Sequence, residues 1–368
     1  MRFLSSALTA TIAVAFISGC SNNSGAPGVS GPLPPLASGS QLGDASQNLT
    51  QSKGRVRQTA SKNLYVADEN GNDVTVYTST GHYLYTIVID VSKPDAILFD
   101  ASQNLYAANL GYNAVYVYRP GQLNPSAGFL ASCPNALAIS PGGYLYVADS
   151  CDNTVSIFSI ANPSQSEPPL TKNIQNPQAL AFDSNGVLYV ANGGTASKPD
   201  GSVAVCTGSP PNGACNKTIT SHVDNPRGLA VTQGYVFVAN EVAHGNVTRY
   251  HSYTNGNGYV NTWGQGDLDD PNALTFDSLG HLCASSPGNG SVVCFITSDT
   301  TFKTITNGIG HPTSMAVGPA GFLNVANFAT SQYKDGSITQ YCAKASCVIP
   351  GKPNTAHIDG PVSIGFGP

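Results

Sequence analysis

The stretch NPQALAFDSNGVLYVANGG, residues 176–194, is one copy of a pattern that fills most of the 368-residue chain. Its first half recurs as KPDAILFD (93–100), CPNALAIS (133–140), NPQALAFD (176–183), NPRGLAVT (225–232), DPNALTFD (270–277), HPTSMAVG (311–318) and GPVSIGFG (360–367). The second half recurs as LYVADENGNDVTVY (64–77), LYAANLGYNAVYVY (105–118), LYVADSCDNTVSIF (145–158) and LYVANGGTASKPDGSVAV (188–205). It continues as VFVANEVAHGNVTRY (236–250), LCASSPGNGSVVCF (282–295) and LNVANFATSQYKDGSITQY (323–341). A repeat of roughly 40–50 residues means a propeller or a solenoid, because one such unit cannot bury its apolar face alone.

The apolar runs are short, rich in Val, Tyr, Phe and Ile, and bounded by Gly, Asn, Asp and Pro, which is strand chemistry. Almost no helical periodicity occurs beyond the first twenty residues. Each unit therefore reads as four strands: an inner one after the proline, a tight turn, a second and a third, then a variable fourth. The first two are apolar throughout, as expected of strands covered on both faces. The first copy, LYVADENG, lacks an inner strand, while the last inner strand, PVSIGFG, stands alone at the C-terminus. The expected fold is all-β: a seven-bladed β-propeller of four-stranded blades over residues 62–368, closed when the C-terminal strand completes the N-terminal blade. Six or eight blades would require one of the visible strands to be miscounted.

The N-terminus reads MRFLSSALTATIAVAFISGC, one arginine followed by an apolar run ending in small residues. That is a secretory signal, too short for a membrane span. Its ending, Ile17 to Cys20, resembles a bacterial lipobox, which implies cleavage after residue 19 and acylation of Cys20; an ordinary cleaved signal is the alternative. Ser21 after the cysteine favours sorting to the outer membrane by that resemblance, facing the periplasm or the cell surface. Residues 20–61 are rich in Ser, Gly, Pro and Asn and read as a flexible tether reaching about 35 Å. Lys53, Arg55, Arg57 and Lys62 cluster at its far end, suited to anionic headgroups or to plain solvation.

Export fits the cysteines. Apart from Cys20, eight remain in four local pairs, an even count that suggests disulfides in an oxidising compartment. The strand register pairs Cys133 with Cys151, Cys206 with Cys215, Cys283 with Cys294 and Cys342 with Cys347. No C-x-x-C occurs, which argues against a zinc or thiol-redox centre.

NPQALAFDSNGVLYVANGG and SPGGYLYVADSCDNTVSIF resemble NHL repeats and the YVTN-type repeats of bacterial surface and periplasmic propellers. The resemblance covers about residues 62–368. It implies a propeller firmly and a function poorly, because such rings host binding, scaffolding, hydrolase and lyase roles. Streptogramin B lyase and gluconolactonases are similar in shape, but the WFTE-like strand of the lyase is replaced by YVAN. A single tryptophan, Trp263, sets the chain apart from quinoprotein dehydrogenases.

Propeller ligands sit where the loops entering the inner strands meet those after the second strands. Here that rim collects Asp68, Asn109, Asp149, Asn192, Asn240, Glu241 and His244, with His222, His311, His357 and Asp359 from the other loops. Residues 63–368 hold 11 basic and 20 acidic side chains, a net of −9, so the rim reads as acidic. DLDDP, with Asp267, Asp269 and Asp270, suits Ca²⁺ or another divalent cation, though no cofactor is firmly implied. Asp and Asn also fill such loops simply because they tolerate turn geometry. The net charge of −5 and the absence of a basic stripe argue against nucleic acid. Two functions remain. One is a non-catalytic, monomeric, envelope-anchored propeller that binds a protein, peptide or glycan. The other is a metal-dependent lyase or lactonase using His244, His311, His357 and Glu241.

Overall fold

A computed structural model describes residues 62–195, 200–210, 212–232, 234–296, 301–319, 321–328, 336–342 and 356–368. The expected signal, Cys20 and the expected tether lie outside them. The described residues form seven antiparallel sheets, and the only helices among them are two short 3₁₀ turns, Leu110–Tyr112 and Tyr253–Asn255. None of those helices is long and apolar enough to cross a membrane.

Blade 4 shows the common plan. Its inner strand Pro177–Phe182 pairs with Leu188–Asn192, then Ser202–Thr207, then the outer strand Ala214–Ile219. Asp183 turns the chain between the first two strands, its carboxylate accepting the N–H groups of Asn185 and Val187 at 2.9 Å. Both strands are buried along their whole length, which explains why neither alternates apolar with polar residues. The same order recurs from Pro94, Pro134, Pro226 and Leu274. Blade 7 shows three strands among the described residues, Pro312–Val317, Phe322–Asn327 and Ser337–Cys342.

Each inner strand packs on the next, from blade 1 round to blade 7 and back. Blade 1 is completed by Pro361–Gly367, which pairs with Asn63–Asp68 from Asn63 opposite Gly367 to Asp68 opposite Pro361. Two serines stitch this junction at its core: Ser363 Oγ accepts the Ile97 N–H from blade 2 at 3.2 Å, and Ser314 Oγ of blade 7 accepts the Ile364 N–H at 3.3 Å. The fold is a closed seven-bladed propeller.

The core lies between blades as a series of apolar clusters. One joins blades 4 and 5 through Tyr189, Val203, Leu229, Val238 and Tyr250, for example. Tyr65, Tyr106, Tyr146 and Tyr189, which recur at one position of the second strand, are all nearly fully buried. They are packing residues. Inner strands approach so closely that residue size is restricted: a Cβ on Gly228 would meet the Asn272 carbonyl at 2.8 Å and the Ala239 Cβ at 2.9 Å.

Three disulfides follow the expected register. Cys206–Cys215 joins the third and fourth strands of blade 4, and Cys283–Cys294 joins the second and third of blade 6. Cys133–Cys151 closes the rim of blade 3. The expected Cys342–Cys347 pair cannot be followed, since Cys347 lies outside the described residues.

Candidate binding site on the propeller rim

The rim is built from three recurrent devices, and they absorb most of its polar side chains. The first is a clamp. The residue ending the second strand accepts the N–H two positions before its own blade's inner-strand proline. Asn109 takes Ser92 at 3.0 Å, Asn192 takes Gln175 at 3.1 Å, Asn240 takes Asp224 at 3.0 Å and Asn327 takes Gly310 at 3.2 Å. Ser286 does the same for Asp269 at 2.7 Å. The equivalent positions in blades 3 and 1 are Asp149, whose carboxylate accepts the Ser156 hydroxyl, and Asp68. All seven residues at this position are buried. Such burial requires partners, because an unpaired polar group there costs about 1–3 kcal/mol.

The second device is an inter-blade stitch. Asn72, Asn113 and Asn153 adopt the left-handed conformation in the turn before their third strands. Each then accepts the N–H preceding the next blade's proline: Lys93 at 2.9 Å, Cys133 at 3.1 Å and Asn176 at 2.7 Å. Asn tolerates this backbone because its short amide bonds locally.

The third anchors each incoming connection farther from the axis. Third-strand tyrosines donate to a carbonyl five residues before the proline. Tyr118 reaches Ile89 and Tyr250 reaches Ser221, both at 2.7 Å, and Tyr77 and Tyr341 reach Ala356 and Asn307. The residue after that carbonyl is left-handed: Asp90, His222 and His357, with φ of 56°, 60° and 59°. Two rim histidines thus occupy a turn position that aspartate fills elsewhere. Each stacks on the first tyrosine of its blade's outer strand, His222 on Tyr259 at 3.8 Å and His357 on Tyr83 at 4.1 Å.

The structure therefore scatters the histidine set. His357 lies against Tyr83, while His311 is exposed and accepts the Phe328 N–H through its backbone carbonyl. His244 belongs to blade 5 and donates its backbone N–H to Asp269 at 2.8 Å. Asp269 is thereby committed to a loop, and Asp267 and Asp270 take part through their backbones, with Asn289 and Val242 respectively. Among the described residues, no three His, Cys, Asp or Glu side chains are grouped to hold a metal ion.

Two features escaped the sequence. The second residue of most inner strands is a β-bulge and is polar: Asp95, Asn135, Gln178, Arg227 and Thr313. A bulge re-aims its side chain, and here it turns toward a neighbouring inner strand. Asn135 donates to the Pro177 carbonyl at 3.0 Å and Thr313 to that of Pro361 at 2.8 Å. Arg227 pairs with Glu241 within blade 5 at 2.7 Å and donates to Gln178 of blade 4, so this charged pair is tied to the neighbouring blade by a hydrogen bond. Burial pushes the Glu241 carboxyl up; Arg227 opposes this and Asp270 adds to it. The polar residue after most of these prolines was visible in the sequence; the register shift that aims it was not.

The other feature is an open cleft of about 480 Å³ on the flank between blades 4 and 5, lined by Lys217, Thr218, Ser221, Tyr250, Asn257 and Tyr259. Tyr259 is exposed and held edgewise to Tyr250. The Asn257 Oδ1 is buried without a hydrogen-bond partner. Lys217 lies 4.7 Å above the Tyr253 ring.

No family model and no curated protein matches this chain. Solved structures do. A protein of unknown function from Desulfotomaculum acetoxidans superposes with a TM-score of 0.65 at 12% identity, covering 83% of this chain and 99% of that one. The periplasmic gluconolactonase of Pseudomonas aeruginosa gives 0.62 at 16% identity, covering 83% and 99%. Hydrazine synthase of Kuenenia stuttgartiensis gives 0.64 at 16% identity, covering 77% and 93%. The likeness is one of fold. Three such different proteins on one architecture leave function to the site.

Proposed function

We propose that this chain is an exported, Cys20-acylated binding propeller that holds a glycan in the cleft between blades 4 and 5. The observation that carries this reading is the lining of the cleft: an exposed tyrosine ring, hydroxyls from Thr218 and Ser221, the unpaired Asn257 oxygen and one lysine. An aromatic face covers the apolar side of a sugar ring, and amide and hydroxyl groups match its hydroxyls. Titration calorimetry with defined oligosaccharides, N-acetylglucosamine trimer among them, tests it. Tyr259→Ala should weaken binding at least tenfold, and failure of every saccharide to bind, or binding indifferent to this substitution, contradicts it. Mass spectrometry of the mature N-terminal peptide tests acylation separately.

A metal-dependent lyase or lactonase remains the second reading. It is favoured by the fold shared with a gluconolactonase and by the half-buried Glu241 beside Arg227. Tightly held divalent cation together with lactone hydrolysis that Glu241→Gln abolishes would establish it instead.

A further inference from the structure

The cleft beside Tyr259 has a counterpart one blade back. An open cleft of about 350 Å³ lies between blades 3 and 4, lined by Asn153, Asn173, Ile174, Gln175, Ser202 and Thr218. Thr218 lines both clefts, so they open on either side of one exposed residue of the outer strand Ala214–Ile219. The repeat explains the pairing. Asn173 stands four residues before its blade's proline, the left-handed turn position that His222 fills in blade 5, with φ of 58° against 60°. In blade 5 that residue stacks on Tyr259, whereas in blade 4 it donates its amide to the Cys215 carbonyl at 2.9 Å. One cleft is therefore walled by an aromatic ring and the other by amides.

No charged or aromatic side chain lines the second cleft. Asn153 accepts the Asn176 N–H at 2.7 Å through its Oδ1, and Asn173 spends its Nδ2 on Cys215. Among the described residues, the Nδ2 of Asn153 and the Oδ1 of Asn173 have no partner in the fold. That leaves one donor and one acceptor beside the hydroxyls of Ser202 and Thr218. Sugar hydroxyls, each both donor and acceptor, match such a set, while an anion would lack a lining cation. The two nearby lysines are occupied: Lys172 donates to Asn216 Oδ1 at 2.9 Å, and Lys217 lies over the Tyr253 ring. The Lys172 contact and the Cys206–Cys215 bridge also fix the outer strand between the clefts. Clefts formed in advance spare a ligand the cost of ordering them.

We infer that the glycan is an extended, uncharged oligosaccharide that runs across Thr218 from the cleft between blades 4 and 5 into the cleft between blades 3 and 4. This rests on the glycan reading of the first cleft and adds the ligand's length, charge and course. Tyr259 covers the face of one sugar ring, and the amides take hydroxyls of units farther along the chain. Each cleft is of the size that seats a small ligand, roughly 300–1,000 Å³. A short saccharide fills one, and a longer one is needed to engage both.

Calorimetry with the trimer and the hexamer of N-acetylglucosamine tests this. On the wild-type protein the hexamer should bind about tenfold more tightly than the trimer, the gain expected of one or two further hydrogen bonds. Asn153→Asp keeps an oxygen for the Asn176 N–H but removes the donor. It should cancel most of the hexamer's advantage and leave the trimer's affinity unchanged, whereas Tyr259→Ala should weaken both. Hydrogen exchange reads the same contact without a variant: the hexamer should slow the amides of residues 172–176, and the trimer should not. Equal affinity for the two saccharides, a hexamer advantage that Asn153→Asp leaves intact, or a variant that weakens both alike would overturn the two-cleft course while the glycan site itself stands. Tighter binding of an acidic hexasaccharide, galacturonic acid hexamer, would do so too. Binding of no saccharide at all would overturn both readings together.

Discussion

Asn240 shows how much one rim residue does. Its oxygen accepts the Asp224 N–H, and its amide donates to the His222 carbonyl at 3.3 Å, Asn246 at 2.8 Å and Thr248 at 3.2 Å. Asn240→Ala strands these groups beneath a loop and should cost about 2 kcal/mol, read as a shift in the urea midpoint. Asp149 fills the equivalent place as an acid. Burial pushes its carboxyl up to about 7, Asp152 adds to this, and the Ser156 hydroxyl and Ser132 N–H oppose it. An unfolded aspartate titrates near about 3.9. The proton is therefore held more tightly in the folded state, and the stabilisation is complete below the unfolded value and lost as pH rises through the folded one. Between about pH 4 and 7 the wild type should lose on the order of 2–4 kcal/mol relative to Asp149→Asn. Urea midpoints of both proteins at pH 4.5 and pH 8 check the sign. Asp68, raised by burial and by Asp73 and Asp359, acts in the same direction.

Strands and their order were legible because each unit writes proline, apolar run, turn and apolar run in the same sequence, and two of the three observed disulfides confirm that register by joining paired residues. The site was less legible. End-of-strand Asn residues look like ligands in a sequence, yet their side-chain oxygens are taken by the backbone of the connection that enters their own blade. His222 and His357 look like acid–base candidates, yet they sit in left-handed turns against tyrosines contributed by a strand more than 30 residues away in one case and across the chain termini in the other. Contacts of that kind have no periodic signal. At this scale the hairpin staples are testable. Replacing Cys283 and Cys294 together with alanine should destabilise the protein by about 2–3 kcal/mol in the chain-entropy view, measured as a shift in thermal or urea midpoint. Because the bridge lies inside one sheet, the ring should stay closed.

The molecule as a whole rests on closure. A propeller with one unpaired seam would expose the strand edges of blade 1 and the buried face that Val362 and Ile364 cover. Clefts between neighbouring blades, and with them any ligand seat, exist only because the inner strands hold each blade at a fixed angle to the next. The most direct measurement is amide hydrogen exchange of Pro361–Gly367, read by mass spectrometry on the native protein. Closure predicts that these amides exchange as slowly as those of Asn63–Asp68, through global unfolding alone. Exchange at the rate of a free C-terminal tail, with Asn63–Asp68 still protected, would contradict the sealed seven-bladed ring.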